Sequence, residues 1–243
     1  QDWLTGMIKP IVLMPRVGEA MPHALAPDTR DLGVMLPYTP LHSLLLSDYA
    51  HLLGAKRIPA LVMTSGNLSH EPIALGNREA LNRLEDVADG FLLHNRDILL
   101  RCDDSVLRPM PPGQPPLLYR RARGFVPDPV TLPDSGRNVL GLGADSKTTV
   151  CLSKGDRAFV SQHIGDLDNP EVQGFYREVI KHGQNIHKTE PEAIAADRHP
   201  DYASTRHAED YPGLPLIHVQ HHVAHVLSVM AENRIRDSFL GLA

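Results

Sequence analysis

The sequence predicts an α/β protein in two parts, residues 1–130 and residues 137–243. Three observations carry this expectation. Short apolar runs alternate with segments of helical periodicity, the pattern of strands and helices packed in layers. The stretch Val126-Pro127-Asp128-Pro129-Val130-Thr131-Leu132-Pro133-Asp134-Ser135-Gly136 holds too much proline and glycine for a helix or a central strand, and predicts a linker. Beyond it, the order of elements changes to three strands in succession.

In the first part, Pro10–Met14 and Ala60–Thr64 predict buried strands, His42–Leu53 and Asn77–Leu84 predict helices, and Gly90–His94 predicts a further strand. The proline-rich stretch Arg108–Pro116 predicts a surface loop. In the second part, Val139–Gly143, Thr149–Leu152 and Ala158–Ser161 predict short strands. Polar turns at Ala144–Lys147 and Lys154–Arg157 would join them. A helix follows, with Asn169 as N-cap, Pro170 at its first position, and Val172, Phe175, Tyr176, Val179, Gly183 and Ile186 at helical spacing. Next come a strand (Ala193–Ala196), a helix (Tyr202–Ala208), a strand (Leu214–Val219), a histidine-bearing helix and a last strand (Phe239–Leu242). The order β-β-β-α-β-α-β is that of one lobe of an actin-like or ribonuclease-H-like fold. In that fold the first hairpin turn approaches nucleotide phosphates, which gives Asp145 and Lys147 a candidate binding role beside the plainer reading of a polar turn.

Composition narrows the function classes. A net charge of −5 gives no electrostatic reason to expect a nucleic-acid partner. Cys102 and Cys151 stand far apart without a CxxC, which argues against a disulfide scaffold or a cysteine zinc site and fits a reducing compartment. No apolar run is long enough to cross a membrane and no signal pattern opens the chain, so a cytoplasmic protein is expected. Gln1 at the start and an abrupt end at Ala243 suggest a piece of something longer.

Most of the chemistry lies near the end. His221 and His225 stand four residues apart on one helix face, where two imidazoles can close on one metal ion. Such a pair is also found on ordinary surface helices, and no third ligand, usually a carboxylate, is obvious nearby. Thr64-Ser65-Gly66-Asn67-Leu68-Ser69 follows an expected strand and could bring backbone N–H groups to a phosphate, or be a plain turn. Asp103-Asp104-Ser105-Val106-Leu107-Arg108 could serve Mg²⁺ and a nucleotide, or be a charged strand start held by surface ion pairs. Arg120, Arg121 and Arg123 could clamp an anion or form a solvated face. The strings Gln162–Leu167 and Asp197–Tyr202 place His and Asp at strand ends, open to metal, acid–base or no special use.

Taken in order, these strings closely resemble the HypF family, carbamoyltransferases of [NiFe]-hydrogenase maturation. The matching segments are Gly33–His42, Met63–Ser69 with Glu71-Pro72-Ile73, Asp103–Val106, Arg120–Pro127, Ser161–Leu167, His199–Tyr202 and Val219–His225. The resemblance implies that residues 1–130 are the later half of a YrdC-like domain, which makes carbamoyl-adenylate from carbamoyl phosphate and ATP with Mg²⁺. It implies that residues 137–243 are the first lobe of a TsaD-like domain, which passes the carbamoyl group to the C-terminal cysteine of HypE for cyanide ligand synthesis. By the same resemblance, His221 and His225 would ligate iron or zinc, and Ser65, Asn67, Ser105 and Arg121 would hold the adenylate.

The sequence departs from the family pattern at Val223, where the middle histidine of the motif would stand, and at Ser43, where a second histidine is frequent. Structural zinc is expected only in cysteine fingers lying before Gln1. The aspartate completing the metal site and the glycine-rich nucleotide loops are expected after Ala243. The chain alone is therefore expected to lack carbamoyltransferase activity. A tRNA threonylcarbamoylation enzyme and a non-catalytic metal- or nucleotide-binding module are the alternatives.

Overall fold

A computed structural model describes residues 2–18, 23–55 and 57–242. The chain forms two compact units, residues 1–65 with 103–125, and residues 66–102 with 126–243.

The first unit opens with a short helix, α1 (Asp2–Thr5), and a strand, β1 (Ile11–Pro15). It continues through β2 (Asp31–Val34), α2 (Pro40–Leu53), β3 (Val106–Arg108) and β4 (Leu117–Arg120). The four strands form one sheet in the order β2-β1-β3-β4, with β1 antiparallel to β2 and parallel to β3. Val12, Leu107 and Ala122 are buried here. α2 begins where the sequence says it can: Thr39 accepts the backbone N–H of His42, and Pro40, which has no N–H to leave unpaired, takes the first turn.

The second unit contains α3 (Asn77–Leu84) and a five-stranded sheet. The strands are β5 (Val130–Gly136), β6 (Val139–Gly141), β7 (Cys151–Val160), β8 (Ala193–Asp197) and β9 (Leu216–Val219), in the order β5-β7-β6-β8-β9. β7 runs antiparallel to both neighbours, while β6, β8 and β9 are parallel. The helices are α4 (Pro170–His187), α5 (Ala203–Arg206) and α6 (His221–Asn233). This is the actin-like arrangement expected from the element order. α4 buries Val172, Phe175, Tyr176, Val179 and Ile180 against Leu140, Leu142, Leu152 and Ile194 of the sheet. Each such side chain contributes roughly 1.5–3 kcal/mol by leaving water. The Tyr176 hydroxyl donates to the Leu142 carbonyl at 2.8 Å, so its polar end is satisfied inside that core.

Residues 66–102 pack into this unit through Arg101. Its guanidinium donates to the Ile73 carbonyl at 2.6 Å, Glu79 at 3.2 Å and Glu178 at 3.0 Å, and lies over the Phe175 ring. Asn169 adds a bond to the His70 carbonyl at 3.1 Å. The expected first part, residues 1–130, is thus shared between the two compact units.

Several expected elements differ. Ala60–Thr64 and Gly90–His94 form no strand, and Val62 is 79% exposed. Phe239–Leu242 likewise forms none. Apolar runs of this kind satisfy strand periodicity, but a strand also needs a hydrogen-bonded neighbour, and these segments have no ladder among the described residues. The expected linker holds β5, because β5 is an edge strand, where a proline such as Pro133 costs no ladder bond. The turn expected at Lys154–Arg157 lies within the span of β7, which folds back on itself: the Ser161 N–H donates to the Val150 carbonyl at 2.8 Å, and Gly155 sits in the bend at φ +61°. Its start pairs with β6 and its later residues with β5. Ile186, placed on the apolar face of α4 by its spacing, is exposed.

His207 packs edge-on between Tyr176 and Tyr211, at 5.2 and 5.8 Å between ring centroids. Burial pushes its imidazole below the ordinary value, the Asp210 carboxylate opposes this, and the Arg177 charge reinforces it. His187 is lowered in the same direction, also by burial first. The unfolded chain therefore binds protons more readily than the folded one below about pH 6.5. The stabilisation is complete above that pH and is lost on acidification. Urea midpoints should fall between pH 7 and pH 5, and His207→Phe should flatten part of that fall.

Candidate functional site

Asp197 closes β8, and its Cα partner on β9 is Val219. The Arg198 N–H donates to the Val219 carbonyl at 3.2 Å, which holds the two strand ends together. Gln220 is the N-cap of α6, so the helix starts with His221, two residues past the strand end. This places His221 Nδ1 2.7 Å from Asp197 Oδ2. One helical turn later, His225 Nε2 lies 3.1 Å from His221 Nε2, with the rings edge to face.

The Asp197 side chain is only 8% exposed, while that of His221 is 50% exposed. Burial pushes the Asp197 carboxyl upward, but the His199 N–H and His221 outweigh it and hold the group below the ordinary carboxylate range.

The two Nε2 atoms suit a shared cation. With nitrogen–metal bonds of about 2.1 Å, a separation of 3.1 Å corresponds to an angle of about 95° at the ion. Tetrahedral and octahedral ions both accept such an angle after small adjustment. Among the described residues no group of three His, Cys, Asp or Glu side chains could hold a metal; His221 and His225 present two nitrogen donors side by side.

The other candidates divide. Ser105 is wholly buried, and its hydroxyl donates to the Arg123 carbonyl and accepts the Ala122 N–H, both at 2.9 Å. Arg121 donates to the Phe125 carbonyl at 2.8 Å in the same unit. Ser65 is exposed and belongs to the first unit, whereas Asn67 belongs to the second. The Asn67 Nδ2 donates to the Leu68 carbonyl, and its Oδ1 is buried with no protein partner.

Asp145 accepts the backbone N–H groups of Ala203 and Ser204 and the Ser204 hydroxyl, at 2.8, 3.0 and 3.0 Å, and so ties the first hairpin turn to α5. Lys147 has φ +49°, and its backbone N–H donates to Asp166 at 2.6 Å. Gly143 must be glycine, because a Cβ there would lie 2.3 Å from the Thr149 carbonyl oxygen. The Gln162–Leu167 string braces this turn through the pairing of Thr148 with Gly165 and the Leu167 N–H to the Asp145 carbonyl.

Arg123, expected within an anion clamp, is spent on the protein itself. It donates to Asp104 at 2.7 Å and to the carbonyls of Ile8 and Lys9 at 2.9 Å each, and its guanidinium lies 3.6 Å from the Tyr38 ring centroid. Arg120 faces Asp103 at 3.6 Å. Burial, and then the Asp104 carboxylate, raise the Tyr38 hydroxyl above its usual range against the pull of Arg123. The ion-pair reading of Asp103 and Asp104 describes this corner.

Sequence reasoning noticed Asp197 but not its partnership with His221. The available signal was a carboxylate ending one strand of a parallel pair whose neighbour leads into the histidine helix.

Comparison with known proteins finds clear relatives of this chain. The family described as the HypF Kae1-like domain matches residues 134–232. The Sua5/YciO/YrdC family, described as telomere recombination, matches residues 2–122. The chain is 45% identical to carbamoyltransferase HypF2 of Cupriavidus necator, covering 99% of this chain and 31% of that protein. It is 44% identical to carbamoyltransferase HypF of Rhizobium leguminosarum bv. viciae, covering 97% of this chain and 30% of the relative. A crystal structure of full-length HypF in the phosphate- and nucleotide-bound form superposes with a TM-score of 0.87 at 43% identity, over 97% of this chain and 36% of that one. The chain thus spans under a third of the length of these curated relatives.

Arg123→Ala should destabilise the first unit by on the order of 2–3 kcal/mol, because it strips Asp104 and two carbonyls of their donor. Arg121→Ala should cost less, and the two urea midpoints decide the ranking.

Proposed function

Because this chain belongs to the HypF carbamoyltransferase family, we propose that it serves ATP-dependent carbamoyl transfer in [NiFe]-hydrogenase maturation. One observation carries the reading: a YrdC-type segment over 2–122 and a HypF-type Kae1-like segment over 134–232 are joined in one chain. Carbamoyl phosphate gives up its phosphate to water, and an oxygen of the resulting carbamate attacks the α-phosphorus of ATP, so that pyrophosphate leaves and carbamoyl-adenylate forms, whose adenylate is a good leaving group. The thiolate of the C-terminal cysteine of HypE attacks the carbamoyl carbon, an S–C bond forms, the C–O bond to AMP breaks, and AMP leaves. The thiocarbamate is then on the route to cyanide ligands.

The residues take parts that suit this chemistry. By the family pattern Ser65, Asn67 and Arg121 would meet the adenylate, and Lys147 is exposed on the first hairpin turn, where a phosphate can reach it. Ser105 and Asp145 contribute by holding the loops on which such contacts depend. His221 and His225 would hold iron or zinc through Nε2, and the bound cation supplies Lewis-acid charge for a phosphate. No described helix is long and apolar enough to cross a membrane, and we place the reaction in the cytoplasm, where ATP is available.

ATP–pyrophosphate exchange by the protein as its gene encodes it tests the reading. Exchange that requires carbamoyl phosphate is expected. Exchange driven by threonine and bicarbonate would instead assign the chain to tRNA threonylcarbamoylation, and no exchange with either would leave a binding module.

A further inference from the structure

We propose that Asp197 is a positioning residue that sets the tautomer of His221 and aims its Nε2 lone pair at a shared cation. The inference rests on the reading of His221 and His225 as cation ligands and adds a residue to it.

An ionised carboxylate only accepts hydrogen bonds. The 2.7 Å contact between Asp197 Oδ2 and His221 Nδ1 therefore puts a proton on Nδ1. In the neutral ring Nε2 is then bare, and it faces His225 Nε2 at 3.1 Å. A free histidine side chain favours the opposite tautomer, so the preference is imposed from outside the ring. Carboxylate-to-histidine bonds of this kind orient metal-binding imidazoles and raise their basicity.

Asp197 is built for the task. Its other oxygen accepts the His199 N–H at 2.9 Å, so the carboxylate cannot swing away without losing a bond. Its backbone is held by the parallel pairing of β8 with β9 and by the Arg198 bond to Val219. The carboxylate is nearly buried, while the imidazole it holds is half exposed. The pair thus has a rigid inner member and a reachable outer one, as an ion arriving from solvent requires.

Asp197→Asn is the sharpest test, because its shape is conserved and one oxygen can still accept the His199 N–H. Its amide N–H group then turns toward His221 Nδ1 and favours the reversed tautomer, with the proton on Nε2, as in the corresponding change in serine proteases. Asp197→Ala removes both contacts and serves as the second variant. In the full chain labelled with ¹⁵N-histidine and kept metal-free, long-range ¹H–¹⁵N spectra at neutral pH should show Nδ1–H for His221. They should show Nε2–H in Asp197→Asn.

Calorimetric titration with Zn²⁺ and Fe²⁺ should give affinities roughly 10–100-fold weaker in both variants, and no binding at this site in His221→Ala. An unchanged tautomer in Asp197→Asn, or cation affinity within about twofold of the parent chain, overturns the proposal. If the parent chain takes up neither cation, the metal reading fails by itself. The tautomer comparison then decides alone: a switch in Asp197→Asn upholds the role of Asp197, and no switch overturns it.

Discussion

The parallel pairing of β8 with β9 is the constraint on which the site depends. Its register sets Asp197 beside Val219. Only Gln220 separates the end of β9 from the helix, so the carboxylate ending one strand meets the imidazole beginning the next element. A shift of the pairing by one residue would turn Asp197 to the opposite face of the sheet and break the contact. The short turn from β9 into α6 leaves little freedom to recover it. The helix then supplies the second histidine by its own geometry, since residues four apart share a face. Strand register, helix start and helical pitch together place three side chains with few adjustable torsions.

The first unit rests on a different kind of interaction. Arg123 gathers Ile8, Lys9, Asp104 and the Tyr38 ring about one guanidinium. These residues come from three separate stretches of sequence, two of them among the strings that carry the family resemblance. Ser105 adds a second bridge within the same corner by bonding the main chain at Ala122 and Arg123. A planar, always charged group with five donors can satisfy scattered carbonyls and a carboxylate at once, which lysine cannot. The arginine-rich string therefore has an architectural use that its charge alone did not reveal.

Local signals were legible where they were sufficient. Asn169 and Pro170 and most of the apolar stripe describe α4 by residues close in sequence, and it formed from Pro170 as read, while the helix read from His42 starts two residues earlier, at Pro40 behind Thr39. Strands were harder, because a strand depends on a partner that periodicity does not name. Ala60–Thr64 and Phe239–Leu242 were apolar enough but have no ladder among the described residues, while the proline-bearing β5 found a place at the sheet edge. The same distinction applies to the site. The spacing of His221 and His225 was visible in the sequence, but Asp197 lies 24 residues away from His221 and joins it only through the sheet. Arg101 has the same character, since its carboxylate partners Glu79 and Glu178 lie on either side of it in sequence.

The most direct test of the site is a crystal structure of the full chain grown with Zn²⁺ or Fe²⁺, with anomalous data collected at the edge of the added metal. The account predicts one peak about 2.1 Å from Nε2 of both His221 and His225, with Asp197 still on Nδ1. A peak on the Nδ1 side, or a strong peak elsewhere with none between the two Nε2 atoms, would contradict it.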